Sequence, residues 1–335
     1  MLYAQRSGGG RTRRSQLRLI DLQRRWPILQ VIALVAVSAY GALTLPNLTT
    51  WGSIKTILVL ASLIGLASVG QTLVILIGGF DLSIPGFMVA SAYLITTIKD
   101  QQHFSFAFAL ALALAMGAAL GALSGQICHR YNVQPLIVTL GIGGAAAGLA
   151  QSLAHDASVG QSAAWAVHLT SVGTRTLGVA VPPIVVIWAL VGIVATIVIH
   201  RTVLGRRLLA VGANQRAAEY SLINSRRVWT LTFAFSGVVS VLAGLLVAGF
   251  AGNLDSAAAN PYLFQSLVAV VIGGTIFGGP GDYARTILGA LFLAVLNVVL
   301  IGSGATPPDQ DILYGVVLVL AVTLYGRERR LGERI

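Results

Sequence analysis

Residues 54–77 read IKTILVLASLIGLASVGQTLVILI, with one charge at Lys55 and none after it until Asp81. A helix built from this run is apolar on every face, and about 20 such residues cross a hydrocarbon layer of roughly 30 Å. One run of this kind also fits a buried core helix. Its recurrence decides the fold. Comparable stretches lie at Trp26 to Leu45, Leu82 to Ile98, Phe104 to Ile127, Gln134 to Leu153, Val179 to Ile199, Trp229 to Phe250, Leu263 to Gly279, Ala284 to Ile301 and Ile312 to Tyr325. The chain is 56% hydrophobic and 10% charged, with a mean hydropathy of +0.82, so its main solvent is lipid. The expected fold is all-α: a polytopic membrane bundle of about ten helices with broken or re-entrant segments.

The cations support this division. Taking the connections alternately, nineteen of the 22 Lys and Arg fall on one side: the arginines before the first span, Arg130, those from Arg201 to Arg227, Arg285 and those after Tyr325. Lys55, Lys99 and Arg175 fall on the other. Basic residues accumulate on cytoplasmic connections, so both termini are expected in the cytoplasm of a bacterial inner membrane. The net charge of +11 therefore reads as membrane topology and not as nucleic-acid binding. Residues 1–25 form an Arg-rich tail suited to anionic headgroups, 26–325 a single transmembrane domain and 326–335 a second tail. Arg13-Arg14 resembles a twin-arginine export signal, but the apolar segment after it is span-length, which favours a retained first helix.

Two stretches interrupt the pattern. Gly78-Gly79-Phe80-Asp81 precedes Pro85-Gly86, and Gly273-Gly274 precedes Gly278-Gly279-Pro280-Gly281-Asp282. Irregular backbone at membrane depth survives where it is buried in protein or lines a wet cavity. These segments are therefore candidates for the pathway wall, and tight cytoplasmic turns are the alternative. Both contain the spacing GG-x5-PG, which chance explains in a chain with 38 glycines. Gln71, Thr72, Gly78, Gly79, Asp81, Ser83, Gly273, Gly274 and Asn297 are the candidate path or gate residues. Asp81 is also placed to cap the helix that follows it. Gly117 to Ala122 and Gly141 to Gly148 offer the small-residue surfaces that helices use to pack in lipid.

Several chemistries are excluded. Cys128 has no second cysteine to pair with, and the five histidines show no metal-binding spacing. Neither lysine follows a phosphate-binding glycine loop, so no ATP hydrolysis is expected from this chain, nor any other catalysis. No cofactor or metal site is expected. Acidic residues sit almost entirely in connections or at span ends, which leaves little for a proton or sodium relay.

The longest basic connection, residues 200–228, carries the sharpest pattern. Asn214 is a good helix cap, and Gln215 to Ser221 is expected to form a short helix across the cytoplasmic face. Thr202-Val203-Leu204-Gly205-Arg206, with Ala210, Gly212, Asn214, Ala217, Ala218, Ser221 and Ile223, resembles an element of the permease subunits of bacterial ABC importers for ribose, xylose and related sugars, a family that includes autoinducer-2 importers. Gly70-Gln71-Thr72-Leu73-Val74-Ile75 running into Gly78 to Ser83, and Val270 to Thr275 with Gly278-Gly279, resemble two further segments of that family in the same order. Leu222 stands where the family usually has glycine. Pro85 and Pro280-Gly281-Asp282-Tyr283 also depart from its pattern.

The resemblance implies a type II importer-like permease paired with a second copy or a related chain. It also implies a cytoplasmic ATPase that holds ATP and Mg, a periplasmic or lipid-anchored solute-binding protein, and sugar or a sugar-like solute as cargo. Gly205, Arg206, Ala210, Gly212, Asn214, Arg216, Ala217, Ala218, Glu219 and Ser221 would couple the ATPase to the spans. The competing class is a self-sufficient ion-coupled transporter or channel.

Overall fold

The apolar stretches become helices of defined length because polar residues stop them at their ends. A computed structural model describes residues 27–96, 105–153, 162–252 and 256–332. The expected tail over 1–25 lies outside them. Fourteen described helices follow in order: α1 Ile28–Thr44, α2 Trp51–Leu76, α3 Ile84–Thr96, α4 Phe106–Tyr131, α5 Pro135–Leu153, α6 Ala164–Thr170, α7 Pro183–Arg201, α8 Val203–Ala213, α9 Gln215–Tyr220, α10 Ser225–Ala251, α11 Ser256–Ala259, α12 Pro261–Ile272, α13 Tyr283–Gly302 and α14 Pro307–Gly332. Side-chain oxygens start several of them. Thr50 accepts from Ser53 N–H, Ser105 from Phe108 N–H, and Asn224 from Arg227 N–H. Each satisfies an amide that a helix's first turn leaves open.

Among the described residues six helices are long and apolar enough to cross a membrane: α2, α4, α5, α7, α10 and α13. α1, α3 and residues 257–272 are shorter apolar helices. Burial ranks the long ones from enclosed to exposed, with α13 between the extremes at 44%. The most apolar window of α2 is 78% buried and that of α10 61%, against 22% for α4, α5 and α7. A helix apolar all round can be enclosed by protein or face lipid, and here α2 and α10 form the centre while α4, α5 and α7 form the rim.

Small residues let the central helices close. A Cβ on Gly117 would stand 2.7 Å from the carbonyl oxygen of Gly237, and one on Gly121 would overlap that of Phe233, so α4 and α10 lie backbone to backbone. The expected packing role of 117–122 thus has its partner in α10. Gly143 faces Ser83, but Gly141, Gly144 and Gly148 on α5 have no neighbour within 4 Å. A buried strap joins three helices elsewhere: Trp188 Nε1 donates to Tyr283 Oη (3.1 Å), which donates to the Gly65 carbonyl (2.7 Å).

Three expectations about element limits need correction. The stretch Leu263 to Gly279 is not one span, because helix α12 stops at Ile272 and Gly274 turns the chain with a φ of +83°. The stretch from Val179 starts its helix only at Pro183, since Thr176 and Val179 exchange backbone hydrogen bonds in a tight turn. The basic connection is mostly helical, with α8 occupying Val203–Ala213.

Candidate functional site

The site begins with α8 and α9. Thr202 starts α8 by accepting from Gly205 N–H at 3.3 Å while its own hydroxyl donates to the Val198 carbonyl at 2.6 Å. Gly205 packs so closely on the end of α7 that a Cβ would overlap the Ile199 carbonyl. Leu208 and Val211 then point inward, where they join Val74, Ile77, Cys128, Ala218, Trp229 and Phe233 in one cluster. Arg206 and Arg207 stay exposed. This amphipathic pattern lays α8 across the end of the bundle.

Asn214 serves both neighbouring helices. Its N–H closes α8 on the Ala210 carbonyl at 3.1 Å, and its Oδ1 starts α9 by accepting from Ala217 N–H at 3.0 Å. The helix expected over Gln215 to Ser221 is thus present as Gln215–Tyr220 with the expected cap. Ala218 is buried, whereas Arg216, Ala217 and Glu219 are exposed, and Tyr220 and Leu222 are 90% and 95% exposed. Two large apolar side chains in water mark a contact surface. Sequence reasoning missed Tyr220, although its place opposite the buried Ala218 was available from the helical period.

The turn after α9 explains the departure at Leu222. Leu222 N–H donates to the Glu219 carbonyl and Ile223 N–H to that of Ala218, both at 3.0 Å, and Leu222 has a φ of +61°. That left-handed position favours glycine. Glycine is what the resemblance led one to expect there.

A polar cluster ties α9 to the bundle. Gln215 Nε2 lies 3.1 Å from His129 Nε2 and donates to Glu219 Oε1 at 3.3 Å, and Glu219 is 3.8 Å from His129. On the far side, His200 Nε2 lies 3.3 Å from Asp282 Oδ1. These contacts bring Arg130, the 200–228 segment and Arg285 to the same end of the molecule.

The three glycine-bearing motifs meet beneath this element. A Cβ on Gly212 would overlap the Leu76 carbonyl oxygen, so only glycine lets α8 touch the end of α2. Gly278 N–H donates to the Ile75 carbonyl at 2.9 Å, and a Cβ on Gly278 would stand 2.9 Å from the Gly212 oxygen. Phe80 stacks on Phe277 with ring centroids 4.7 Å apart. Segments 70–83, 200–228 and 270–282 therefore share one junction.

Both broken segments begin with the same turn. Gly78 N–H reaches the Ile75 carbonyl (3.0 Å) and Gly79 N–H that of Val74 (2.9 Å); Gly274 N–H reaches Val271 (2.8 Å) and Thr275 N–H reaches Val270 (3.3 Å). This is the paired closure of a helix C-terminus on a left-handed residue. The structural equivalence is Gly78 with Gly274. The GG-x5-PG spacing would instead match Gly78 with Gly273, one residue out of step.

The candidate path residues separate into kinds. Asp81 is buried: its Oδ1 accepts from the Ser83 N–H at 2.9 Å and from the Ser83 hydroxyl, and its Oδ2 accepts from Ser236 Oγ at 2.6 Å. It caps Ser83, one residue ahead of α3. Thr139 on α5 accepts from Leu82 N–H at 2.9 Å. The irregular backbone of 78–83 is thus satisfied by protein groups. Thr72 Oγ1 faces Thr286 Oγ1 at 3.3 Å between α2 and α13, and Gly273 lets Arg285 backbone approach, a Cβ there standing 2.8 Å from its oxygen. Gln71 differs. Both ends of its amide are buried with no hydrogen-bond partner among the described residues, as are Asn297 Oδ1 and Thr275 Oγ1. Groups in that state want water or a polar solute. No group of three or more His, Cys, Asp or Glu that could hold a metal occurs among the described residues.

Comparison with known proteins agrees with this architecture. The ribose import permease protein RbsC of Escherichia coli K12 is 31% identical over 89% of this chain and 93% of its own length. The galactofuranose transporter permease protein YtfT of the same strain is 31% identical over 91% of each. Its probable ABC transporter permease protein YphD is 31% identical over 88% of this chain and 87% of its own. No solved structure matches. Residues 53–322 match the family described as the branched-chain amino acid transport system / permease component. With its apolar helices and these relatives, the chain belongs to that family and is a non-enzymatic, multi-pass translocation subunit of an ATP-binding-cassette importer.

Proposed function

We propose that this chain, paired with a second copy or a related permease, forms the path by which a sugar or sugar-like solute enters a bacterial cell through the inner membrane. The end bearing α8 and α9 faces the cytoplasm, together with both termini, a reading supported by the arginine distribution. A separate ATPase, which binds ATP and Mg, docks on the exposed face of α9 at Arg216, Glu219, Tyr220 and Leu222. A solute-binding protein delivers cargo to the opposite end. The exposed Gly141, Gly144 and Gly148 on α5 suit close packing of the second permease. The ribose import and galactofuranose transporter relatives support the cargo class.

The observation that carries the reading is the junction of Gly212 with Leu76 and Gly278. A push on α9 passes through Asn214 into α8 and from there directly onto both broken segments, without a flexible intermediary. The ion-coupled alternative would need an available carboxylate at depth, and Asp81 is already taken up by Ser83 and Ser236. The test is affinity purification of the permease from mild detergent with and without Arg216→Glu and Tyr220→Ala. The unaltered chain should bring down an ATPase and a solute-binding protein. The double variant should lose the ATPase while remaining monodisperse. A chain that always purifies alone, or a variant with unchanged transport-coupled ATP hydrolysis, overturns the reading.

A further inference from the structure

We propose that the outer groove between α7 and α13 is a binding site for one anionic phospholipid, its acyl chain in the groove and its phosphate at the arginine-bearing end. The groove has a volume of about 510 Å³ and is lined almost wholly by apolar atoms, including Ala189, Gly192, Ile193 and Ile197 from α7 and Ala284 and Ile287 from α13. Its floor exists because Gly192 has no side chain. A Cβ there would stand 2.7 Å from Ile287 Cδ1.

Length and charge select the occupant. The lining runs from Val185 to Ile197 along α7, about 18 Å at 1.5 Å per residue. One leaflet of a bilayer core is about 15 Å deep, so the groove has the reach of a single acyl chain. It ends beside a cation. Ile197 is followed one turn later on the same helix by the exposed Arg201. Asp282, the acid at this mouth, lies against His200 at 3.3 Å. Beyond the corner, Val203 and Leu204 at the start of α8 are 51% and 58% exposed, which extends the apolar surface at headgroup level. An apolar slot of leaflet depth with an exposed guanidinium one turn beyond its end matches a phospholipid with a net negative headgroup. A second protein copy fits less well, because the surrounding face of α7 presents the long, exposed side chains of Leu190, Ile193, Val194 and Ile197, whereas close helix pairing in lipid uses small ones.

The test reconstitutes the full chain in vesicles of phosphatidylethanolamine with a minority of phosphatidylglycerol, and adds a tracer of either phosphatidylglycerol or phosphatidylcholine carrying a photoreactive acyl chain. Peptides from α7 and α13 should carry the label, with phosphatidylglycerol favoured about fivefold for each arginine engaged. Arg201→Gln should lower that preference about fivefold without abolishing labelling. Ala189→Trp, which fills the groove from an exposed position, should remove the label from both helices. Equal labelling by both tracers, or full labelling of Ala189→Trp, overturns the proposal. So does disulfide linkage of an Ile193→Cys variant to a second copy, or its chemical cross-linking to residues 1–25, because another occupant then holds the groove. Arg201→Gln keeps the test decisive if the tryptophan variant does not fold.

Discussion

The two broken segments start with the same turn and are then held by different means. After Gly78 the chain is tied to its surroundings by side chains, with Asp81 binding Ser83 and Ser236 and Thr139 binding Leu82. After Gly274 its hydrogen bonds as far as Gly281 are made by the backbone: Ile276 N–H reaches the Pro280 carbonyl at 3.2 Å, Gly279 N–H reaches Ile276 at 3.0 Å, and Gly278 rests on Ile75 and Gly212, while Phe277 stacks on Phe80. Thr275, the hydroxyl within that segment, has no hydrogen-bond partner among the described residues. The first segment is anchored to α5 and α10 by specific polar groups. The second is held through its backbone against the end of α2 and the glycine of α8, with the Phe80 ring on Phe277, so it follows those elements.

That contrast can be broken most sharply at Asp81. Asp81→Ala removes the acceptor for two hydroxyls and an amide in a buried site, and should lower stability by about 3 kcal/mol, read as a loss of thermal stability of the detergent-solubilised chain. Gly212→Ala attacks the contact that both segments share. Its methyl has no room beside the Leu76 carbonyl, so a shift of α8 costing about 2 kcal/mol is expected, with transport reduced more than folding. Leu222→Gly relieves a left-handed leucine whose side chain touches almost nothing, and should raise stability by about 1 kcal/mol in the same melting measurement. Thr275→Val is the smallest change. Replacing an unpartnered hydroxyl by a methyl of similar size should stay within about 0.5 kcal/mol of the parent. A large loss there would show that the second segment also depends on side-chain hydrogen bonds, and the distinction between the two would fail.

Local features of this design were legible in the sequence. The span at 54–77, the cap at Asn214 and the short helix after it depend on residues within a few positions of one another, and they lie where the pattern put them. The run from Leu263 misled because its composition stays apolar through Ile276 and Phe277, while the stop is imposed by the backbone angle at Gly274. Helix α8 was hidden by Gly205, Gly212 and two arginines, residues that read as connection until Leu208 and Val211 are seen to face the bundle. Long-range partners left no local mark. Ser236 is 155 residues from Asp81, and the clash that requires glycine at 212 is with the carbonyl of Leu76. Three motifs could be recognised one by one, but nothing along the chain says that they touch.

The shortness of α12 and the partners of α3 have a consequence for how the protein is made. At 12 residues α12 is about 18 Å long, less than the roughly 30 Å of hydrocarbon that a segment must cross to be released into lipid as a free-standing span. The ribosome delivers α3 well before α10 and α13, the helices that later help enclose α2 and its neighbours. α3 rests on α5, where the Gly143 carbonyl lies against Gly86, and its irregular approach waits for Ser236 to emerge before Asp81 has its second partner. Biogenesis of this subunit is then a sequence of provisional membrane insertions completed late, with the centre of the bundle closing only after most of the chain has left the translocon.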